Sequence, residues 1–132
     1  MNKKQYFKAY TDFIQCAVRL NEKSRKHGLS SLENEIYDLD DENFKLGLRL
    51  IVDEVDAAII DEIYSNKISF EKDNYARQFR TIQKRAVLGI QKQENTRILY
   101  YVLNSYANLS KDEEHKIDCI IMSDDDDEDS IK

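Results

Sequence analysis

The sequence predicts an all-α protein: a single helical domain of five to seven helices, followed by a disordered acidic C-terminal tail. Three observations carry this prediction. The 132 residues include no proline, which is the strongest helix breaker. Residues with high helix propensity, such as alanine, leucine, glutamate and lysine, are abundant. Apolar side chains also recur at three- and four-residue steps, which is typical of amphipathic helices.

The first two helices meet at the stretch "EKSRKHGLSSLENEI", residues 22–36. The first is predicted over 3–26, because its apolar residues form one stripe. The basic stretch "SRKH" followed by Gly28 predicts the end of this helix. A short second helix is expected to begin at Ser30, since Ser30 and Glu33 have the spacing of a capping box. The stripe of the first helix comprises Tyr6, Phe7, Tyr10, Phe13, Ile14, Ala17 and Val18.

Two further helices follow the polar turn "DLDDEN", residues 38–43, which is expected to supply an N-cap. The apolar pattern around Phe44 and Leu48 predicts the third helix. Gly47 lies inside it and weakens it by roughly 1 kcal/mol relative to alanine. We therefore expect close packing at Gly47. Asp56 is the predicted cap of the fourth helix.

The C-terminal half carries three more helical patterns. A long helix is predicted from Ser69 to about Ile90, with Phe70 on its apolar face. Residues 94–109 predict the next helix, with Ile98, Tyr101, Val102, Ser105 and Tyr106 on one side. Ser110 and Glu113 repeat the capping-box spacing before a last short helix. These patterns define a helical domain over 1–122 and a tail over 123–132.

The charge distribution argues against nucleic acid as a partner. The formal net charge is −6. The tail holds six of the 26 acidic residues and one of the 20 basic residues, so the rest of the chain is nearly neutral. A near-neutral body has no electrostatic footprint for nucleic acid or for an anionic membrane. The tail itself is expected to be a solvated terminus.

The hydropathy pattern and the cysteines bear on location. No apolar run is longer than the six residues "ILYYVL", whereas a membrane-spanning helix needs roughly 20. The N-terminus has no apolar segment typical of a secretory signal. We therefore expect a soluble, cytoplasmic protein in which Cys16 and Cys119 are reduced thiols.

No motif points to catalysis, a cofactor or a metal. A nucleophile elbow, a glycine-rich phosphate loop and a Ser/Cys–His signature are all missing. Cys16, His27, His115 and Cys119 could in principle form a Cys₂His₂ site. However, Cys16 and His27 are offset by about three turns on one helix. We predict a non-enzyme with no cofactor and no metal site.

The segment from residue 24 to residue 68 resembles the cytoplasmic loop of MotA-type flagellar stator subunits, which are proton-channel proteins. The resemblance begins with an Arg–Gly–Leu–Leu-Glu spacing and continues through a glycine-containing helix. It covers about a third of the chain. The matching positions are Ser24, Arg25, Lys26, Gly28, Leu29, Leu32, Glu33, Phe44, Gly47, Leu48, Val52, Asp53, Ile60 and Ile63.

The resemblance implies that Arg25 and Glu33 are loop charges that engage a flagellar rotor protein, with Lys26 beside them. It implies a protein partner among the rotor or stator components and a place at the cytoplasmic face of the motor. The family's membrane helices are absent from this sequence, so ion conduction is not implied. The family's Asp-Gly pair is Asp53-Glu54 here. Residues 69–132 match nothing in the family, and the oligomeric state stays open.

An alternative from a different class remains. The chain could be a structural helical adaptor unrelated to motility, in which the charges of residues 22–36 are simply solvated. This alternative predicts an exposed aromatic or aliphatic patch on residues 70–108. The eight tyrosines fit either a core with hydroxyls at its rim or such a patch, and the sequence leaves the choice open.

Overall fold

The computed structural model describes the backbone through residue 131 and the side chains of residues 1–122. Within that part there are seven α-helices, one 3₁₀ helix and no strand, which confirms the predicted class. The prediction that 123–132 are disordered lies outside the described residues. The helices are α1 (Lys3–His27), the 3₁₀ helix (Leu29–Leu32), α2 (Glu33–Ile36), α3 (Glu42–Val52), α4 (Ala57–Phe70), α5 (Asn74–Gln91), α6 (Thr96–Ala107) and α7 (Lys111–Ile131).

The core lies around α5, which packs against α1, α3, α4 and α6. One continuous cluster of buried apolar side chains includes members from every α-helix. Three aromatic rings join three helices within it. The ring of Phe13 lies edge-on to Phe44 at 4.8 Å and to Phe79 at 5.5 Å between centroids. These contacts tie α1 to α3 and α5.

Gly47 is a point of close helix packing, as predicted. A Cβ atom added there would lie closer than 3.0 Å to both Tyr64 Oη of α4 and Val87 Cγ2 of α5. The Tyr64 hydroxyl is itself held, because it donates to the carbonyl oxygen of Asn43 at 2.6 Å. The missing side chain therefore lets three helices approach one another at one level of the bundle.

Most of the predicted helix ends are present. Asp41 caps α3 by accepting a hydrogen bond from the Phe44 N–H at 2.9 Å. The capping box before α7 forms in both directions. The Ser110 N–H donates to Glu113 Oε1 at 2.9 Å, and the Glu113 N–H donates to Ser110 Oγ at 3.1 Å. Asp56 is the N-cap residue of α4, although its side chain makes no capping hydrogen bond.

Three chain turns use left-handed backbone at residues other than glycine. Glu54 follows α3 with φ of 59°, Gln93 follows α5 with φ of 53°, and Asn108 follows α6 with φ of 55°. Asparagine tolerates this conformation better than other non-glycine residues, and glutamate and glutamine bear a steric cost. Glu54 occupies the position where MotA-type loops carry glycine, so this chain keeps the backbone that glycine favours.

The prediction of one helix from Ser69 to Ile90 is wrong at its start. Helix α4 continues to Phe70, and α5 begins only at Asn74. Asp73 caps α5 by accepting from the Ala76 N–H at 2.8 Å. The break resets the helical phase, so Phe70 does not share a face with the apolar residues of α5. Its side chain is 83% exposed, whereas the predicted pattern placed it with the core.

The side of α6 that carries Ile98, Tyr101 and Tyr106 faces outward. These side chains are 56%, 52% and 44% exposed. Both sides of this helix are apolar, so periodicity alone does not select the buried one. Tertiary contacts hold the buried side: the Tyr100 hydroxyl donates to the carboxylate of Asp118 on α7, and the Tyr6 hydroxyl of α1 donates to the Ala107 carbonyl. The residues of α6 that enter the core are Leu99, Tyr100, Leu103 and Ala107.

Candidate partner-binding corner

The corner, residues 22–36, turns at Gly28. The Gly28 N–H donates to the Ser24 carbonyl at 2.8 Å and closes the last turn of α1. Its φ of 89° lies in a region that side chains other than glycine rarely adopt. The chain then enters the 3₁₀ helix and α2, with Leu32 and Ile36 buried in the core. The predicted helix end at Gly28 is confirmed.

The capping box predicted for Ser30 and Glu33 does not form. No side-chain cap is present at the start of α2. The reason is that residues 29–32 are already helical, so Ser30 lacks the extended backbone that an N-cap residue needs. The Ser31 hydroxyl instead donates to the Gly28 carbonyl at 2.7 Å and braces the turn.

All three candidate partner-binding residues are exposed. Arg25 and Lys26 lie in the last turn of α1, and Glu33 is the first residue of α2. The Arg25 guanidinium donates from Nη1 to the carbonyl oxygen of Gln93 at 2.6 Å. This contact leaves its other N–H groups for further partners. Within residues 1–122 no hydrogen bond or ion pair joins Arg25 directly to Glu33, so the two side chains are exposed on the corner without bonding each other.

The corner is held by an acid that the sequence analysis missed. Glu35 lies two residues beyond Glu33 and accepts from Lys23 Nζ at 2.7 Å and from Arg19 Nη1 at 3.1 Å. The hydrogen bond from Lys23, reinforced by Arg19, lowers the pKa of the Glu35 carboxyl below its ordinary value. The one available signal was the four-residue spacing of Arg19 and Lys23, which places both cations on one face of α1.

Replacing Glu35 with glutamine is expected to lower the free energy of unfolding by roughly 1 kcal/mol near neutral pH. The folded-state pKa is depressed, so this stabilisation is fully present above the ordinary glutamate value of 4.5. It is lost as the pH falls through the lower, folded-state pKa. Urea unfolding of both proteins across this pH range measures the difference. Exposed Glu62→Gln on α4 is the control, and a Glu35→Gln deficit that does not change with pH would contradict the ion-pair account.

The turn between α5 and α6 clamps the end of α1. Gln93 Nε2 donates to the Ser24 carbonyl at 2.6 Å, beside the bond from Arg25 to the Gln93 carbonyl. Buried Asn21 donates from Nδ2 to the Glu94 carbonyl at 2.8 Å and to Thr96 Oγ1 at 3.0 Å. Residues about 70 positions apart in sequence thus fix the backbone that carries Arg25. Sequence periodicity contains no signal for such contacts, because they link a helix end to a distant turn.

Other charged residues on α5 are paired rather than free for a partner. Arg80 pairs with Glu71 at 3.1 Å, Lys84 with Asp61 at 2.9 Å, and Arg85 with Glu94 at 2.9 Å. These three ion pairs fasten α5 to its neighbours. The corner and the outer side of α6 both carry exposed groups that a partner could contact.

Within residues 1–122, no group of three His, Cys, Asp or Glu side chains is placed to hold a metal ion. A small cavity beside Tyr6, between α1, α5 and the turn before α7, is lined by one carboxylate, that of Glu113. That carboxylate already accepts the capping hydrogen bond from Ser110. The cavity brings no second carboxylate and no histidine to Glu113 for acid–base chemistry.

Comparison with known proteins finds curated relatives of one kind. Motility protein A of Treponema phagedenis is 38% identical over 78 residues, which are 59% of this chain and 30% of that protein. Motility protein A of Borreliella burgdorferi is 44% identical over 52 residues, 39% of this chain and 20% of that protein. That of Treponema pallidum is 38% identical over 64 residues, 48% of this chain and 25% of that protein.

This chain resembles part of Motility protein A. The match spans less than a third of the length of these relatives and confirms the resemblance seen in the sequence. No family model matches the chain, and no solved structure does. Among the described residues, no helix is long and apolar enough to cross a membrane.

Proposed function

We propose that this chain is a non-enzymatic protein–protein interaction module of the bacterial flagellar motor. It docks through the corner onto a rotor component at the cytoplasmic face of the motor. The observation that supports this most is the display of Arg25 and Glu33 on a corner that Glu35 and the α5–α6 turn hold in place. The similarity to Motility protein A supports a role at the flagellar motor. The resemblance to the stator loop supports a rotor component as the partner.

The proposed docking works by charge complementarity. Arg25, with Lys26 beside it, meets an acidic group of the partner, and Glu33 meets a basic one. Exposed pairs contribute about 0–1 kcal/mol each, so they set the register and the association rate more than the affinity. A rigid corner suits this role, because preorganised charges lose little side-chain and backbone freedom on binding.

Exchanging the corner charges is expected to weaken rotor binding. The double variant Arg25→Glu with Glu33→Lys keeps the net charge and turns two attractions into two repulsions. We expect at least an about tenfold loss of affinity for a purified rotor protein of the source bacterium, a change of about 1.4 kcal/mol. Surface plasmon resonance at two salt concentrations measures it, since the electrostatic contribution weakens with added salt.

The matched control exchanges Lys8 and Asp12, an exposed pair on α1 whose charged atoms are 3.1 Å apart. This control also keeps the net charge and should bind as the wild type does. The single variant Glu33→Lys leaves the Arg25–Gln93 hydrogen bond intact. Weaker binding by this variant therefore cannot result from loss of that bond. Equal binding by wild type, control and double variant would contradict docking through the corner.

The exposed side of α6 favours a second candidate, a structural helical adaptor. Ile98, Tyr101 and Tyr106 lie on one outward side, as the alternative prediction requires. Tyrosine and isoleucine at such positions are typical of partner surfaces. If Tyr101→Ser removes binding while the corner exchange does not, the adaptor function replaces the corner as the explanation.

A further inference from the structure

We propose that α7 carries a binding site for copper(I) formed by His115, Cys119 and Met122, which we call the α7 ligand face. All three side chains are exposed. They lie outside the core, which the described part of α7, up to residue 122, enters through Ile117 and Ile121. The proposal is independent of the proposed function.

The first two ligand atoms already have the separation that a shared metal ion requires. Cys119 Sγ lies 3.7 Å from His115 Nε2. Sulfur and nitrogen bound to one ion at about 2.3 Å and 2.0–2.1 Å, with a tetrahedral angle, lie about 3.6 Å apart. An ion can therefore enter between the two side chains with little change in either rotamer.

Met122 supplies the third donor from the next turn of the same helix. With about 3.6 residues per turn, Cys119 is rotated by about 40° from His115. Met122 is rotated by about 60° from Cys119 in the opposite direction. The three side chains thus share one face. The methionine side chain has three rotatable bonds, so its sulfur can adjust toward an ion held by the other two residues.

The donor set selects the metal. Thiolate and thioether sulfur are soft ligands that favour copper(I), and imidazole also binds copper. Zinc is almost always held by four ligands in structural sites and by three protein ligands in catalytic sites, with thioether sulfur in neither set. Residues 1–122 offer no cluster of three His, Cys, Asp or Glu that would complete a zinc site. Calcium and magnesium require oxygen ligands.

Two of the charged residues beside these ligands on α7 are engaged elsewhere. Lys116 pairs with Asp112 at 3.2 Å, and Asp118 accepts from the Tyr100 hydroxyl. The second cysteine of the chain provides an internal comparison. Cys16 is half-buried on α1, and burial raises the pKa of its thiol. Only Cys119 combines exposure with an adjacent imidazole.

The test is a competition for copper(I) between the reduced chain and the chromophoric chelator bicinchoninate without oxygen. Wild type and Cys16→Ser should each withdraw one copper(I) ion per chain from the chelator. His115→Gln, Cys119→Ser and Met122→Leu should each weaken copper(I) binding by more than about tenfold, the lower limit for loss of even an outer-shell partner. All three positions are exposed, and circular dichroism checks that each variant is folded.

Three results would overturn the site. The first is an equal loss of copper(I) in Cys16→Ser and Cys119→Ser, which would indicate nonspecific thiol binding. The second is wild-type copper(I) affinity in Met122→Leu, which would show that Met122 is not a ligand. The third is tighter retention of zinc(II) than of copper(I) against matched chelators, with the same dependence on His115 and Cys119.

Discussion

Replacing Gly47 with valine is expected to lower the free energy of unfolding by about 3 kcal/mol, the upper part of the range for overpacked cores. The new Cβ would overlap the Tyr64 hydroxyl and a methyl group of Val87. Neither neighbour can move easily. Tyr64 is fully buried and hydrogen-bonded to Asn43, and the branched side chain of Val87 is stiff at χ1. Chemical denaturation followed by circular dichroism measures the change.

Ala58→Val is the matched control for the Gly47 variant. Ala58 lies on the exposed side of α4, so a valine there costs only the difference in helix propensity, roughly 0.5 kcal/mol. Similar losses in the two variants would mean that α3, α4 and α5 do not approach closely at Gly47. The resemblance to the stator loop includes this glycine, and the close approach gives it a structural reason.

Replacing Phe44 with alanine is expected to lower the free energy of unfolding by about 3–5 kcal/mol. Its ring is buried between α1 and α5, with Phe13 edge-on at a centroid distance of 4.8 Å. The substitution removes a large apolar surface from the core and leaves a cavity beside the corner. Thermal and urea unfolding should both show the loss.

Phe70→Ala is the comparison for the Phe44 variant. The same chemical change is made at a side chain that is 83% exposed, so its effect should stay within about 0.5 kcal/mol. A loss at Phe70 as large as that at Phe44 would contradict the break between α4 and α5. It would then favour the continuous helix that the sequence pattern predicts.

Most of the confirmed predictions concern local chemistry. The end of α1 at Gly28, an N-cap within the turn 38–43, the capping box at Ser110 and the packing at Gly47 each depend on a few neighbouring residues or on one missing side chain. The capping box at Ser30 is a local prediction that failed, because residues 29–32 are already helical. The other errors have a different origin. The sequence pattern places Phe70 on the apolar face of one long helix, because apolar periodicity gives no sign of the three-residue break between α4 and α5.

The candidate site shows the same division. Arg25, Lys26 and Glu33 were selected from sequence, and each is exposed in the structure. Their function stays a prediction. The residues that hold the corner were missed, since Glu35, Gln93 and Thr96 act through tertiary contacts. The buried side of α6 is not determined by the sequence for a related reason, because contacts such as the bond from Tyr100 to Asp118 join it to other helices.

The clamp on α1 has a consequence for how the protein folds. The bonds from Gln93 to Ser24 and from Arg25 to Gln93 join residues 69 and 68 positions apart. Such contacts form only after a long loop has closed, which has an entropic cost and slows folding. The corner should therefore reach its final geometry late in folding, once α5 and α6 have docked. A fragment limited to residues 24–68 would contain the whole stator-like segment and still lack the clamp that fixes the corner.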